Sequence, residues 1–593
     1  MDIPDPAQNR QKNVFVLCFD GTGNKFSGTD ADSNILKLYR MLDRTDANMY
    51  TFYQPGIGTY ITSHSMQTTS LFGRVHSWYL KSKDSAIGSS FAEHVMGGYK
   101  FLMRYYSCED DLYFFGFSRG AYTARFLAEM LDHIGLLSAG NEELIRFAWK
   151  TYAKWASRRN NGSASAKEDE AKQYEFMRGF RETFSRPVRR IRFMGLFDTV
   201  NSVPRFETAW MQRSKFPYTA RSSAKIIRHA VSIDERRAKF RQDLIGETKP
   251  RKEKDHPHSD RHDPSIDEKA HQDDCRTRPS KAASPSPEPY ANEVHGQTDK
   301  TRYDDDPKND TTCNDTGSPK MQTINHAGYL AVPARSRPTK SSESLAAPVQ
   351  TPSIEHLRAS PGVSGKPRHF RRRWSEARHS QDIQEVWFAG GHADIGGGWT
   401  KTAGETWMLS HAPLVWMVHE AERAGLPLDP IKMARLTCIP HKVSDDGTKY
   451  DDPESHRSYL QALEDSCSTG LIHDCLQLGG GLSWANVMLW KMMEYLPFRR
   501  MDLQKNGTWK PIRWPLPMGE PRDIPTDAHI HNSVIKRMQL VQEYRPGNLI
   551  VGGGGRGIRK APEKYGIGEW VLSNSDEDHI RQTFVRKGTV CHH

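Results

Sequence analysis

One serine stands in the sequence context that a catalytic nucleophile requires. Ser118 is the central residue of Gly116-Phe-Ser-Arg-Gly120, a G-x-S-x-G pattern, but with 45 glycines in the chain about a quarter of a match is expected by chance. Its position is more specific, because it follows the apolar run 111–115 and precedes a helical pattern, as in the strand-turn-helix of a nucleophile elbow. We therefore predict nucleophilic attack by the Ser118 hydroxyl on an acyl carbonyl. An ordinary tight turn between strand and helix is the alternative.

A serine hydroxyl needs a base to accept its proton, and that base needs a carboxylate to orient it. In α/β-hydrolases these residues follow the serine in the order acid, histidine. Asp198 comes directly after the apolar run 190–197, and His392 follows the run 385–389 within a glycine-rich loop. The order and positions predict Asp198 as the acid and His392 as the base.

Each of these two assignments has an alternative in the sequence. Asp198 precedes a threonine after a strand, a position that often caps the next turn or helix. His392 could be a hydrogen-bonded structural histidine. His229, after an apolar pair, and His531 are rival bases, although neither lies in a glycine-flanked loop that follows a strand.

The loop after the first apolar run could help to bind the negative charge that develops on a substrate oxygen. Gly21 and Thr22 belong to Asp20-Gly-Thr-Gly-Asn24, where glycines allow close approach of the backbone. With the N–H of Arg119, this loop is the predicted oxyanion hole and substrate loop. A purely structural turn is the alternative.

Two other motifs in the chain suggest different chemistry. Phosphatases with an aspartyl nucleophile use D-x-D-G-T, but Cys18 occupies the position of the first aspartate. The glycines at 552, 554 and 557 formally match a dinucleotide-binding fingerprint, yet no strand-helix-strand unit follows the strand-like run 549–551. We therefore expect neither activity and no cofactor or metal.

The runs that precede these residues predict the elements that position them. Apolar runs at 13–19, 111–115, 190–197 and 385–389 are too short for helices and are typical of strands buried on both faces. Helical patterns cover 34–42, 85–106, 121–132, 142–155 and 406–424. This alternation predicts an α/β-hydrolase-like, doubly wound, mainly parallel sheet, whose active site forms at the carboxyl ends of the strands.

The composition predicts the division of the chain. Residues 247–381 are dominated by Lys, Asp, His, Ser and Pro and lack apolar periodicity, so we predict a disordered polar insertion. The predicted order is a flexible N-terminus (1–12), the first part of the catalytic domain (13–246), the insertion (247–381), the second part with the histidine loop (382–430), and a helical and irregular C-terminal extension (431–593) packed on it.

Net charge and hydropathy limit which partners and which location are expected. The net charge of +11 is modest for 593 residues and no nucleic-acid motif accompanies it, so nucleic acid is not an expected partner. The basic aromatic cluster 369–374 suggests peripheral contact with an anionic membrane surface, although a solvated tract is the simpler interpretation. No apolar run reaches transmembrane length and the first residues are polar, so we expect a cytoplasmic protein.

Five blocks in order resemble one family: residues 19–24, 116–121, 196–200, 229–237 and 391–399. This is the uncharacterised α/β-hydrolase domain family related to the catalytic domain of bacterial type VI secretion phospholipase effectors. The resemblance covers about 13–246 and 385–426 and implies a triad of Ser118, Asp198 and His392 that hydrolyses phospholipid acyl esters. The long polar insertion departs from the effectors, and the chain is more similar to stand-alone, notably fungal, members.

The alternative to an enzyme is a non-catalytic protein. A chain that keeps the hydrolase fold could act as a scaffold or interaction protein through its basic insertion. The intact serine, aspartate and histidine candidates favour the enzyme.

Overall fold

The computed structural model describes most of the chain outside the predicted insertion. The described residues are 12–56, 86–158, 164–200, 224–245, 381–495, 500–503, 509–512, 519–551, 558–573 and 578–588, without the side chains of 86–90, 155–171 and 500–512. Outside them lie nearly all of the predicted N-terminus and insertion, the basic aromatic cluster 369–374 and the glycine run 552–557. The predicted domain boundaries stay predictions.

In the described part of the chain, nine strands form one mainly parallel sheet. In chain order they are β1 (Val14–Phe19), β2 (Met49–Gln54), β3 (Asp111–Phe117), β4 (Phe193–Phe197), β5 (Ile226–Ser232), β6 (Asp382–Phe388), β7 (His529–His531), β8 (Trp570–Leu572) and β9 (Thr583–Arg586). Their spatial order is β8-β9-β7-β6-β5-β4-β3-β1-β2. The strands from β2 to β7 pair in parallel, whereas β9 runs antiparallel to both β7 and β8. Consequently β3, β4, β5 and β6 end side by side.

Short antiparallel pairs lie outside this sheet. They are Leu136–Leu137 with Ser185–Arg186, Lys442–Val443 with Lys449–Tyr450, and Arg500–Leu503 with Trp509–Ile512.

Helices cover both faces of the sheet. They are α1 (Asn34–Met41), α2 (Ala86–Tyr105), α3 (Arg119–Ile134), α4 (Ile145–Arg158), α5 (Ala164–Phe184), α6 (His392–Gly396), α7 (His411–Arg423), α8 (Pro430–Arg435), α9 (Pro453–Ser468), α10 (Trp484–Glu494), α11 (Asn532–Leu540) and α12 (Gly547–Ile550). Single 3₁₀ turns occur at Glu142–Leu144 and Glu563–Tyr565. Among the described residues, no helix is both long enough and apolar enough to cross a membrane.

The central strands explain why the sheet needs two helical layers. Along β1, Phe15 and Leu17 pack into one apolar cluster with α2 to α5, whereas Val16 and Cys18 pack into another with α1 and α7. Successive side chains of a strand point to opposite faces, so a continuous apolar run must be covered on both. The architecture is therefore α/β, as the alternating pattern predicted.

The strands predicted at 13–19, 111–115, 190–197 and 385–389 are all present, and the predicted helices are present with shifted ends. The run 549–551 is strand-like in sequence, but it lies mainly in α12. A three-residue apolar run does not distinguish a buried strand from a buried helix. Leu549 and Ile550 instead pack into a third apolar cluster with Trp387 of β6 and Ile530 of β7. Strands β2, β5, β7, β8 and β9 were not predicted; the last three come from the C-terminal part and extend the sheet itself.

Candidate active site

Ser118 occupies a sharp turn between β3 and α3. Its backbone has φ of 60° and ψ of −125°. Residues other than glycine rarely adopt a positive φ. The turn is held by the Ser118 N–H, which donates to the Phe197 carbonyl at the end of β4 (3.0 Å). This is the strained strand-to-helix turn expected of a nucleophile elbow.

The two glycines of the elbow are required by close packing. A Cβ on Gly116 would lie 2.4 Å from the Cα of Ala121, and one on Gly120 would lie 2.2 Å from the carbonyl oxygen of Phe19. Both neighbours are backbone atoms that cannot rotate away. The glycines therefore let the turn close against α3 and against the loop that follows β1.

His392 reaches Ser118 from the first residue of α6. Its Nε2 lies 2.7 Å from the Ser118 Oγ, and its ring packs against those of Phe117 and Phe240, each with centroids 4.8 Å apart. The His392 N–H donates to Oε2 of Glu235 (3.1 Å). The ring is thus held by contacts on its sides and at its backbone.

Asp198 contacts the other ring nitrogen of His392. Its Oδ2 lies 2.5 Å from the His392 Nδ1, and its Oδ1 accepts from the N–H of Ser232 (3.0 Å). Asp198 is fully buried and has φ of 40°. Because an ionised carboxylate only accepts, we place a proton on Nδ1, which leaves Nε2 to accept from the Ser118 hydroxyl. The structure therefore brings the three predicted residues into one hydrogen-bonded chain.

Arg522 is a site residue that sequence reasoning missed. Its Nη1 and Nη2 donate to Oδ1 and Oδ2 of Asp198, at 2.5 and 2.9 Å, and its side chain is fully buried. It lies in the irregular segment 519–525, which has neither helical nor strand periodicity. Nothing in the local sequence signals that this arginine is buried, so only the tertiary structure could reveal it.

The charges around this chain shift the pKa values of Asp198 and His392. Burial alone would raise the pKa of Asp198, but the charge and hydrogen bonds of Arg522 and His392 outweigh it and hold that pKa well below its usual range. Burial lowers the pKa of His392, and its contact with Asp198 opposes this only in part. The favoured state pairs an ionised Asp198 with a neutral imidazole, which can act as a base.

A second buried ion pair borders the histidine. Glu235 accepts from Nε and Nη2 of Arg237, both at 2.8 Å, and Arg237 stacks on the ring of Phe240 at 3.7 Å. Burial raises the pKa of Glu235, but Arg237 more than compensates and lowers it to about 2. Both residues lie in the 229–237 block that resembles the family, but the sequence alone did not indicate that they form an ion pair beside the histidine.

The loop after β1 is built around a buried aspartate. Asp20 accepts hydrogen bonds from Ser33, Tyr53, Asn24 and the N–H of Gly21, the last at 2.7 Å. In this structure the Gly21 N–H is therefore directed at Asp20. Of the predicted oxyanion-hole donors, the N–H groups of Thr22 and Arg119 remain as candidates, and Arg119 is the first residue of α3.

The Asp20 contacts also bear on the phosphatase motif. The Asp20 carboxylate is engaged by these four donors, and Cys18 is buried in the apolar cluster on the α1 and α7 face of the sheet. Burial raises the pKa of Asp20. These contacts give the aspartate a structural role in shaping the loop.

The two alternative bases, His229 and His531, form hydrogen bonds with groups other than Ser118. His229 accepts from the Thr199 N–H at Nε2 (3.0 Å) and contacts Glu385 through Nδ1 (2.8 Å), so it supports the backbone next to Asp198. His531 lies 2.6 Å from the Ile580 carbonyl, and burial lowers its pKa to about 4. Neither shares the contact that His392 makes with Ser118.

One family model, one protein sequence and one solved structure are similar to this chain. The family model for the catalytic domain of Tle1-like phospholipase effectors of type VI secretion matches residues 13–420. An uncharacterized protein of Saccharomyces cerevisiae is 29% identical over 598 residues, which span 92% of this chain and 82% of the yeast protein. The crystal structure of an uncharacterized protein from Pseudomonas aeruginosa matches 83% of this chain at 15% identity and a TM-score of 0.29. This chain spans 54% of the length of that crystallised protein.

Proposed function

The chain belongs to the Tle1-like catalytic-domain family of type VI secretion phospholipase effectors, and on this premise we propose that it is a serine hydrolase that cleaves phospholipid acyl esters. The observation that carries the proposal is the position of His392, with Nε2 at 2.7 Å from the Ser118 Oγ and Nδ1 at 2.5 Å from Asp198. This is the geometry of a nucleophile, its base and the carboxylate that orients the base.

The first half of the reaction forms an acyl-enzyme. The Ser118 Oγ attacks the ester carbonyl while His392 Nε2 takes the hydroxyl proton, and Asp198 stabilises the imidazolium that results. The N–H groups of Arg119 and Thr22 donate to the oxyanion, aided by the positive end of α3. When the intermediate collapses, the ester bond breaks and His392 gives its proton to the leaving alkoxide, which departs as the alcohol.

The second half regenerates the enzyme. His392 takes a proton from a water molecule, whose oxygen attacks the acyl carbon, and the bond to the Ser118 Oγ breaks. The proton then returns to Oγ, and a carboxylic acid is released. The sequence of bond changes needs no metal or redox cofactor.

The order of the elements supports an α/β-hydrolase arrangement. The nucleophile follows β3, the acid follows β4 and the base follows β6, and these strands end at the same edge of the sheet. Serine, acid and histidine occur in this order along α/β-hydrolase chains. Family membership supports phospholipid as the substrate, because the name of the family describes phospholipase effectors.

Hydrolysis of phospholipid vesicles tests the proposal. We expect the wild type to release fatty acid and lysophospholipid, identified by mass spectrometry, and Ser118→Ala to release neither. Ser466→Ala is the matched control, because this buried serine donates to the Met408 carbonyl in another part of the structure. Hydrolysis of a soluble short-chain ester without phospholipid hydrolysis would keep the serine hydrolase and reject the lipid substrate. No hydrolysis of either would favour the scaffold alternative.

A further inference from the structure

We propose that Arg522 is a positioning residue of the active site, which fixes the orientation of Asp198 and balances its charge so that His392 stays neutral. The inference rests on the roles of Ser118, Asp198 and His392 given in the proposed function, and it assigns to the C-terminal part of the chain a share in the active site.

The contacts of Arg522 fit a carboxylate clamp. Its two terminal nitrogens each donate to a different oxygen of Asp198, and the remaining donors go to the carbonyls of Phe240 and Ser232. A planar guanidinium that forms two parallel bonds fixes the plane of the carboxylate as well as its distance. Because Asp198 in turn orients the ring of His392, a rotation of this carboxylate would move the base relative to Ser118.

The segment that carries Arg522 is itself tied to the sheet. The side-chain amide of Asn548 donates to the carbonyl of Arg522 and to that of Ile233, just beyond β5, both at 3.0 Å. The Gln242 side chain donates to the carbonyl of Asp523, also at 3.0 Å. All of this segment lies beyond residue 420, where the match to the family's catalytic domain ends. The clamp is therefore supplied from outside the matched domain.

The charges near the imidazole show what the clamp does electrostatically. The groups concerned are Asp198 with Arg522, Glu235 with Arg237, and Asp394 with His473 on the side of α6. The first two pairs each join one carboxylate to one guanidinium, so their charges balance. An ionised Asp198 without a neighbouring cation would favour the imidazolium form of His392. The Arg522 guanidinium, paired with the same carboxylate, reduces that preference. Loss of Arg522 should therefore raise the pKa of His392 and deplete the neutral base near neutral pH.

The experiment compares Arg522→Gln and Arg522→Lys with the wild-type chain. The pKa of His392 is measured by NMR of ¹³C-labelled histidine, assigned with His392→Gln, and the rate at which a fluorophosphonate labels Ser118 is measured as a function of pH. We expect Arg522→Gln to raise the pKa of His392 by about one unit or more and to move the acid limb of labelling upward equally. Arg522→Lys keeps the charge but not the fork, so it should keep the wild-type acid limb and label about ten-fold more slowly at its plateau.

Arg228→Gln is the matched control. Arg228 is also buried and pairs with Glu420 (2.5 Å) and Asp382 (2.6 Å), yet it does not contact the triad. It should lose stability without any shift of the acid limb. An unchanged His392 titration and labelling rate in Arg522→Gln would overturn the proposal. If that variant does not fold, an unchanged plateau labelling rate in Arg522→Lys would overturn it. If the wild type does not label at all, the proposed hydrolase fails, whereas the His392 titration still decides the role of Arg522.

Discussion

His392 and Ser118 are 274 positions apart in the sequence, and their side chains meet with 2.7 Å between Nε2 and Oγ. The parallel strands bring them together, because β3 leads to the serine and β6 leads to the histidine at the same edge of the sheet. Asp198, after the intervening β4, completes the chain of contacts. The three side chains therefore converge at one edge of the sheet.

Loss of any residue of this chain of contacts should nearly abolish ester hydrolysis. Ser118→Ala, Asp198→Asn and His392→Ala should each lower kcat/KM by on the order of 10⁴-fold, and combinations should lose little more, because the residues act as a unit. Initial rates on a soluble short-chain ester measure the effect. His531→Ala is the comparison. If His531→Ala loses activity while His392→Ala stays active, the base must be reassigned to His531.

The pH dependence should reflect a buried, neutral base. Burial lowers the pKa of His392, so the imidazole stays deprotonated, and active, below the ordinary histidine value of about 6.5. Asp198, with its pKa held well below its usual range, stays ionised through the same interval. We therefore expect the acid limb of kcat/KM to be centred below pH ~6.5. An acid limb centred above pH ~6.5 would mean that the imidazolium is the favoured form.

Gly120→Ala should disrupt the elbow. The added Cβ would lie 2.2 Å from the Phe19 carbonyl oxygen and 2.5 Å from that of Asp20, so the turn or the adjacent loop must move. A displacement of about 1 Å in a catalytic group can cost about 100-fold in rate. Gly179→Ala in α5 is the control, because its Cβ would meet nothing within 4 Å, and alanine should stabilise that helix by about 1 kcal/mol. Equal kcat/KM in the two variants would argue against a tightly packed elbow.

Replacement of the predicted insertion (247–381) by a short linker should preserve folding and esterase activity, provided that Gln381 is kept, because its side chain donates to the Ala224 carbonyl (2.7 Å). The Ile245 N–H donates to Glu385 (2.9 Å), so the ends to be joined are separated by about four strand residues, or ~13 Å. Eight Gly and Ser residues span up to about 26 Å. Shortening the loop by about four halvings should stabilise the fold by about 2 kcal/mol or less, because each halving contributes about 0.6 kcal/mol.

The activity of this linker variant on a soluble ester should match that of the full chain. Any loss should appear on anionic vesicles and shrink as salt is added, since it would reflect the removed basic cluster. An insoluble variant, or a protease-resistant 247–380 segment in the full chain, would show that the predicted boundary is misplaced.

The sequence was informative where chemistry follows a long apolar run. Ser118, Asp198 and His392 each come after a strand of five to seven residues, so their convergence could be predicted from the topology of a parallel sheet. Arg522 could not be found in this way, because its burial against Asp198 depends on how a distant segment folds. For the same reason, the last three strands, of three or four residues each, were too short to show periodicity.

Covalent labelling by a fluorophosphonate tests the central claim most directly, because the probe reports an activated serine whatever the natural substrate. Intact-mass and peptide mass spectrometry should show one adduct on the wild type, located on Ser118 and formed more slowly in His392→Gln. Ser118→Ala should carry none, and Ser466→Ala should label as the wild type does. A wild-type chain that folds but forms no adduct, or forms it on another serine, would contradict the assignment of Ser118 as the nucleophile.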